Sequence, residues 1–403
     1  MNILFDLSST QPVHGNDFHG GGEYAKTVFT RFCELLPSGL SLEVFYNPDK
    51  NMESSILEIC KTSGFTVNYC RNNFDLSQLL STKEFDVFYC PLLYSISGLV
   101  IPKSTKFIYT IHGLRSLEYP GDRYELKYRK NSLKGIFKHI FITFFPSIWW
   151  KYRSAKSIKG NNMLFSLAEN QTIITVSNHS KYAINYFFPN LDISGIKVFY
   201  SPMKNYGFDK NKTLEILKSL ALEPGKYILL IGGDRPEKGA YRACRVLHKL
   251  MERQNRIPKE IKVLVLGVSN HRPYLKLTKN SDRFVFHDYV PTEDLETLYK
   301  NAFLFMFPTL NEGFGYPPLE AMKYGVLCAC SANSSITEIC GDAVLYFNPF
   351  DETEMGIRVL QSFDEEIRRE KAIKMAERHR LINKRQEQDL DLLIHEICNH
   401  EDK

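Results

Sequence analysis

Short apolar runs of strand length recur along this chain, separated by stretches long enough for a helix, and the series is interrupted once. The first series predicts strands at 2–7, 42–46, 66–70, 85–90, 106–112, 172–176 and 196–200, with helices at about 23–36 and 52–62. The second predicts strands at 226–231, 262–266, 284–289, 303–307, 326–330 and 344–347, with helices between them. Strands that wait for a helix before the next strand cannot pair as hairpins, so each series dictates a parallel sheet covered by helices on both faces. The uncharged run 303–307 fits such a strand, buried on both sides. The interruption at 201–209 is polar and carries Pro202 and Gly207, as a linker does. A chain of 403 residues exceeds one ordinary core and suits two domains of about 200 residues each. After Asp364 the sequence is highly charged with a helical period.

Composition narrows the class. Hydrophobic residues at 43% and charged residues at 24% describe a soluble globular chain. The nine cysteines include no C-x-x-C pair, and several lie in apolar runs, so they read as buried free thiols in a reducing cytosol. The N-terminus lacks a signal-peptide pattern and no run of 18 apolar residues occurs, so a cytoplasmic location is expected.

Two segments carry chemistry. Between Phe307 and Gly325, Glu312 and Glu320 flank a loop shaped by Gly313, Gly315, Pro317 and Pro318. Glycine lets the backbone approach a ligand, and proline suits the first helical position. The spacing predicts strand, loop and helix, with the helix N-terminus offering free N–H groups and a positive dipole end to a diphosphate. Glu320 is expected in the first helical turn, where its oxygens would accept from a ribose diol. The second segment runs from Leu230 to Ala240 and places Arg235 and Lys238 three residues apart at a strand-to-helix turn. A guanidinium fork and a compact ammonium suit one diphosphate, and they stabilise charge as it leaves. Both are expected to serve the ligand and not a core, so that their removal would leave the fold intact.

These segments resemble retaining glycosyltransferases of the bacterial GT4 type, mannosyl- and rhamnosyltransferases in particular. Glu312 and Glu320 match the E-x7-E signature, Ser334 to Asp342 matches a segment one strand later, and Arg235 and Lys238 match an Arg-x-x-Lys pair. Gly239 stands where that family often has Asn. The glycine triplet 20–22 matches the family's glycine loop, with Gly21 and Gly22 chosen for backbone contact, and His112 matches a histidine near the donor sugar.

The resemblance implies an α/β chain of GT-B fold, two doubly wound, Rossmann-like parallel-sheet domains facing across a cleft. Residues 1–203 would form an acceptor-binding domain with a basic and aromatic insertion near 121–160. Residues 204–385 would bind the nucleotide sugar, and 386–403 would return to the first domain. Glu312 with the N–H groups of Gly313, Phe314 and Gly315 would hold the sugar, and Tyr289 and Val290 count among the donor-binding residues. Arg115, Lys181 and Arg123 are cations suited to an anionic acceptor.

The implied activity is retaining transfer of a hexose from a nucleoside-diphosphate sugar, GDP-mannose first, to a glycan or lipid-linked acceptor in surface polysaccharide assembly. The alternatives are an epimerase or phosphorylase of the same fold, or a silent partner subunit. No cofactor and no metal are expected: the one Asp-x-Asp, Asp389 and Asp391, lies in a helical stretch where residues two apart diverge. Between Gly121 and Gly160 ten Lys or Arg stand against two acids and surround a run holding Trp149 and Trp150. Two readings fit, a helix lying in an anionic membrane interface or a core helix with a solvated basic face. Nucleic acid is disfavoured, because the aromatics form one block.

Overall fold

The computed structural model describes every residue except 13–19, 94, 120–121, 123, 129–140, 142–143, 204–214 and 400–403. Arg123, Arg129, Lys130, Lys134 and Lys138 of the basic stretch, and most of the expected linker, lie outside the described residues. The chain divides into two compact units. The first comprises Met1–Leu114, Ala155–Asn205 and Asn383–Lys403, the second Arg115–Ser154 and Tyr206–Ile382.

The first unit holds seven strands, β1 (Asn2–Asp6), β2 (Ser41–Tyr46), β3 (Thr66–Tyr69), β4 (Val87–Cys90), β5 (Lys106–Ile111), β6 (Gln171–Thr175) and β7 (Lys197–Val198). All pair in parallel in the order β3-β2-β1-β4-β5-β6-β7, with Ile3 beside Leu42 on one side and Val87 on the other. Ile3, Leu4 and Phe5 are consecutive and all fully buried, as strands covered on both faces require. Phe5 meets the rings of Phe29 and Phe32 from the helix Gly20–Leu35 edge-on. That helix begins earlier than its period suggested, so Gly21 and Gly22 form its first turn and do not lie in a loop. A Cβ on Gly21 would stand 2.5 Å from Leu92, so close packing on the chain after β4 fixes the glycine.

The second unit holds β8 (Tyr227–Leu230), β9 (Lys262–Leu266), β10 (Phe284–His287), β11 (Leu304–Phe307), β12 (Cys328–Ser331) and β13 (Leu345–Phe347), parallel in the order β10-β9-β8-β11-β12-β13. The order reverses between β8 and β11, and a crevice at the carboxyl ends of such strands is where open α/β sheets take ligands.

The expected insertion near 121–160 is not carried by the first domain alone. Its described residues before Ala155 belong to the second unit. Arg242 explains why: buried in the helix Ala240–His248, it reaches Asp122 at 2.5 Å and lies over the ring of Tyr124, which itself bonds Glu352 at 3.0 Å. The C-terminal stretch is not a separate element either, since one helix, Glu365–Cys398, serves both units. Arg368 and Arg378 cap carbonyls of the second, while in the first Asp389 accepts from Tyr200 N–H at 2.7 Å and Asp391 pairs with Arg31 at 2.8 Å. The two aspartates thus diverge to separate structural partners.

Asp6 ends β1 with Oδ1 accepting from Ser8 N–H (2.8 Å) and Ser8 Oγ (2.5 Å), and Oδ2 facing the Cys90 thiol at 3.2 Å. Burial outweighs these bonds and pushes its carboxyl up to about 6. A folded-state value above the unfolded one means the fold binds the proton more tightly, so stability falls as pH rises through that value. Between pH 4 and pH 7 the parent should lose about 2 kcal/mol relative to Asp6→Asn. Urea unfolding of both proteins at the two pH values checks this.

Candidate functional site

The reversal of strand order in the second unit brings two loops together, 231–239 after β8 and 308–315 after β11. Their joining is backbone first. Leu310 N–H donates to the Glu237 carbonyl at 2.7 Å, and a Cβ on Gly239 would stand 2.1 Å from the Pro308 carbonyl oxygen. Gly239 also has φ 69°, so this position admits glycine on two counts, conformation and space. Any Asn here would drive the loops apart.

Lys238 and Glu312 then meet across the seam. Lys238 Nζ lies 2.5 Å from Glu312 Oε1, with the two residues 6% and 8% exposed, and Thr309 Oγ1 donates to the same oxygen at 2.8 Å. The ammonium also lies 5.0 Å from the centre of the Phe307 ring. Burial opposes charge on both partners. For Glu312 the fields of Lys238, Arg115 and Arg235 win and hold the carboxyl below its ordinary range. For Lys238 burial prevails, aided by Arg235, and its value falls below that of a free lysine. Glu312 is fixed through its backbone as well: its N–H donates to Ser334 Oγ at 3.0 Å and its carbonyl accepts from Ser335 Oγ at 2.9 Å. Ser334 pays for that grip with φ 47°, a left-handed conformation uncommon for serine.

Arg235 lies beside this pair and bonds Glu237, not Glu312. Its Nε donates to Glu237 Oε1 at 2.9 Å with Nη2 2.8 Å from the same oxygen, and Arg115 Nη1 reaches that oxygen at 2.9 Å. Burial would raise the Glu237 carboxyl, but Arg235 and Arg115 together hold it low.

Gly315, at φ 120°, is the N-cap of the helix Tyr316–Lys323, with Pro317 its second residue. Glu320 is therefore the fifth helical residue and lies beyond the first turn, contrary to expectation, because the helix begins at Tyr316. Tyr289, exposed, and Val290 follow β10, two strands from β8.

The remaining expected residues belong to the first unit. His112 follows β5, its Nε2 at 2.8 Å from the Pro91 carbonyl and its ring edge-on to Tyr24 at 4.6 Å. Tyr24 lies in the helix that Gly21 and Gly22 open, so these three expected residues share one locality. Lys181, half-buried, also lies in the first unit, its Nζ donating to the Ile196 carbonyl at 2.8 Å.

Sequence reasoning missed Thr309 and Glu237. Thr309 had no motif to mark it, whereas Glu237, an acid between two expected phosphate cations, was visible as the one charge that contradicts the pattern. The geometry also corrects the expectation that Lys238 is dispensable to the fold, because its loss would leave a buried carboxylate unpaired.

The arrangement presents cations, a helix N-terminus and a fixed carboxylate at one crevice, which suits an anionic polyol. Comparison with known proteins agrees. Residues 212–379 match the family model of glycosyl transferases group 1. The chain is 34% identical over 168 residues to O-antigen chain mannosyltransferase B of Escherichia coli, covering 39% of this chain and 42% of that one. It is 26% identical over 184 residues to O-antigen chain mannosyltransferase RfbU of Salmonella typhimurium, covering 45% of this chain and 47% of that one. The chain thus matches less than half the length of either relative. Among solved structures it resembles Anabaena Alr3699/HepE in complex with UDP and glucose, with TM-score 0.62, 13% identity and 98% of both chains covered. It resembles WaaG, a glycosyltransferase involved in lipopolysaccharide biosynthesis, with TM-score 0.61, 14% identity, and 99% and 100% covered. At these identities the structural likeness concerns the fold.

Breaking the ion pair from one side should destabilise the protein at neutral pH. Glu312→Gln and Lys238→Met should each cost about 3 kcal/mol or more, with the double variant losing less than the sum, as for a buried pair whose partner is left uncompensated. Urea denaturation of the four proteins provides the measurement, and strictly additive losses would contradict the pairing.

Proposed function

We propose that this protein, whose residues 212–379 match the model of glycosyl transferases group 1 and whose fold is GT-B, moves a hexose from a nucleoside-diphosphate sugar to a glycan or lipid-linked acceptor in surface polysaccharide assembly. The observation that carries the reading is the cluster at the strand reversal, where Lys238, Glu312 and Arg235 meet beside the glycine-capped helix. The names of the mannosyltransferase relatives favour mannose, and GDP-mannose is the first donor to test.

In this reading Arg235 takes the diphosphate, and the enclosed Lys238 adds its field to stabilise the charge that grows as the glycosidic bond breaks. Glu312, held by Thr309, Ser334 and Ser335, presents its carboxylate to the sugar hydroxyls with the N–H groups of Gly313, Phe314 and Gly315. Glu320 accepts from the ribose diol. The acceptor hydroxyl attacks on the face from which the diphosphate leaves, a phosphate oxygen takes its proton, and the anomeric configuration is retained. The positive charge on the diphosphate comes from side chains, so no metal is needed.

A panel of nucleotide sugars, followed by diphosphate release with and without lipid-linked acceptor, tests this reading. GDP-mannose should give acceptor-dependent GDP release that persists after chelation. Arg235→Ala should raise the barrier by about 2–4 kcal/mol. Release that appears only with added magnesium or manganese would overturn the metal-free mechanism, and no release from any donor would overturn the activity.

A peripheral position on an anionic membrane is supported by the helix Pro146–Phe165 and the residues before it. No helix among the described residues is long and apolar enough to cross a membrane. Phe144, Phe145, Ile148 and Tyr152 recur at three- and four-residue spacing and are exposed, with Lys151 and Arg153 beside them, and no acid occurs between Glu125 and Glu169. Trp149 and Trp150, which the sequence offered as the membrane-facing pair, are half-buried instead, the Trp149 ring lying beside that of Tyr152. Replacing Phe144, Ile148 and Tyr152 by Ser should reduce flotation with phosphatidylglycerol vesicles at every salt concentration. Reversing Lys151 and Arg153 should matter chiefly at low salt. A parent protein that stays unbound at low ionic strength removes the membrane from the account.

A further inference from the structure

The second unit includes a segment drawn from the first half of the sequence, beginning at Arg115. It is fastened at intervals to the loops of the candidate site and to the helices behind them. Arg115 pairs with Glu237, Glu118 Oε2 accepts from Asn311 Nδ2 at 3.1 Å, and Asp122 pairs with the buried Arg242. Arg115 is therefore no stray surface cation. It is carried by a short element tied to both site loops, one through Glu237 and the other through Asn311.

The charge pattern at its tip is unusual. One oxygen, Glu237 Oε1, accepts from two guanidiniums, from Arg235 Nε with Nη2 close by and from Arg115 Nη1. Two arginines so close would repel without that oxygen between them. The carboxylate side chain is 13% exposed, while Arg235 and Arg115 are 43% and 45% exposed. The anion is thus enclosed and the two forks reach solvent, with N–H groups that no described residue accepts. Lys238, by contrast, is enclosed and already committed to Glu312. Of Lys238, Arg235 and Arg115, the two arginines are the ones open to a ligand.

We propose that Arg115 is an additional phosphate-contacting residue of the nucleoside-diphosphate site and that Glu237 is a positioning residue, its single oxygen holding Arg115 and Arg235 in register so that their outward N–H groups grip the same diphosphate. This rests on the glycosyl-transfer reading, from which the ligand class is taken. It adds a contact supplied from outside the matched family region, by a residue that the sequence suggested for an acceptor anion. Arginine is the suitable residue because a planar fork can bond a carboxylate with one edge and a phosphate with another, which an ammonium cannot do in fixed geometry.

The test is binding by the full chain, with calorimetry for GDP and UDP and ligand-observed NMR for guanosine and uridine. Arg115→Met should weaken the diphosphate bound by the parent about tenfold and leave the corresponding nucleoside unchanged. Glu237→Gln should weaken the same diphosphate, and adding Arg115→Met to it should cost less than threefold more, because the arginine has already lost its register. Arg115→Lys keeps the charge and should recover only part of the loss, and it separates a folding defect from a lost contact. Diphosphate affinity within twofold of the parent for Arg115→Met, or an equal loss for the nucleoside, overturns the assignment of Arg115. Fully multiplicative losses overturn the role of Glu237. A parent that binds neither diphosphate overturns the glycosyl-transfer reading together with this proposal, whereas a parent that binds while Arg115→Met binds equally overturns this proposal alone.

Discussion

The ion pair between Lys238 and Glu312 is the interaction on which the site depends. It joins loops that are 74 residues apart in sequence and adjacent only because the strand order reverses between β8 and β11. Each charge alone would be costly where it lies, and each makes the other tolerable. The pair therefore does two things at once, closing the seam between the loops and keeping Glu312 ionised at a place from which water is largely excluded. The supporting bonds follow from this need. Thr309 donates to the carboxylate, while Ser334 and Ser335 hold the backbone behind it, one of them in a strained conformation.

Around that seam the structure sorts cations by exposure. Lys238 is enclosed and structural as well as electrostatic, whereas Arg235 and Arg115 share the oxygen of Glu237 and face solvent. A site of the proposed kind, binding a diphosphate and then releasing it, would gain from this division, because the enclosed charge sets a constant field while the open ones are free to meet the ligand. The segment from Arg115 onward shows that the second unit is not a contiguous stretch of sequence. A buried pair, Asp122 with Arg242, and the ring of Tyr124 beneath the same guanidinium secure the added piece.

Most of the fold was legible. All thirteen strands fall on runs that the alternation of apolar and helical stretches marks, because strands covered on both faces must be apolar throughout, as Ile3, Leu4 and Phe5 are. Errors gather at ends: the helix Gly20–Leu35 absorbs the glycine triplet, and the helix Tyr316–Lys323 starts so that Glu320 misses the first turn. Helix ends are settled by capping and packing contacts, such as Gly21 against Leu92, and these have no local signature. The candidate site was legible in its charges, Arg235, Lys238 and Glu312, which stand together in two short segments of the sequence.

By itself the sequence determined two parallel sheets with helices on both faces, because period and apolarity act locally, and it singled out the charged positions of the crevice. Only the tertiary structure decided which charges meet. It paired Lys238 with Glu312 instead of leaving both to solvent, set Glu237 between two arginines, split the basic stretch between units, and turned Phe144, Ile148 and Tyr152 outward while half-burying Trp149 and Trp150. The reason is physical: burial and the sign of the neighbouring charge set what an ionisable group does, and both are properties of residues brought together from distant parts of the chain.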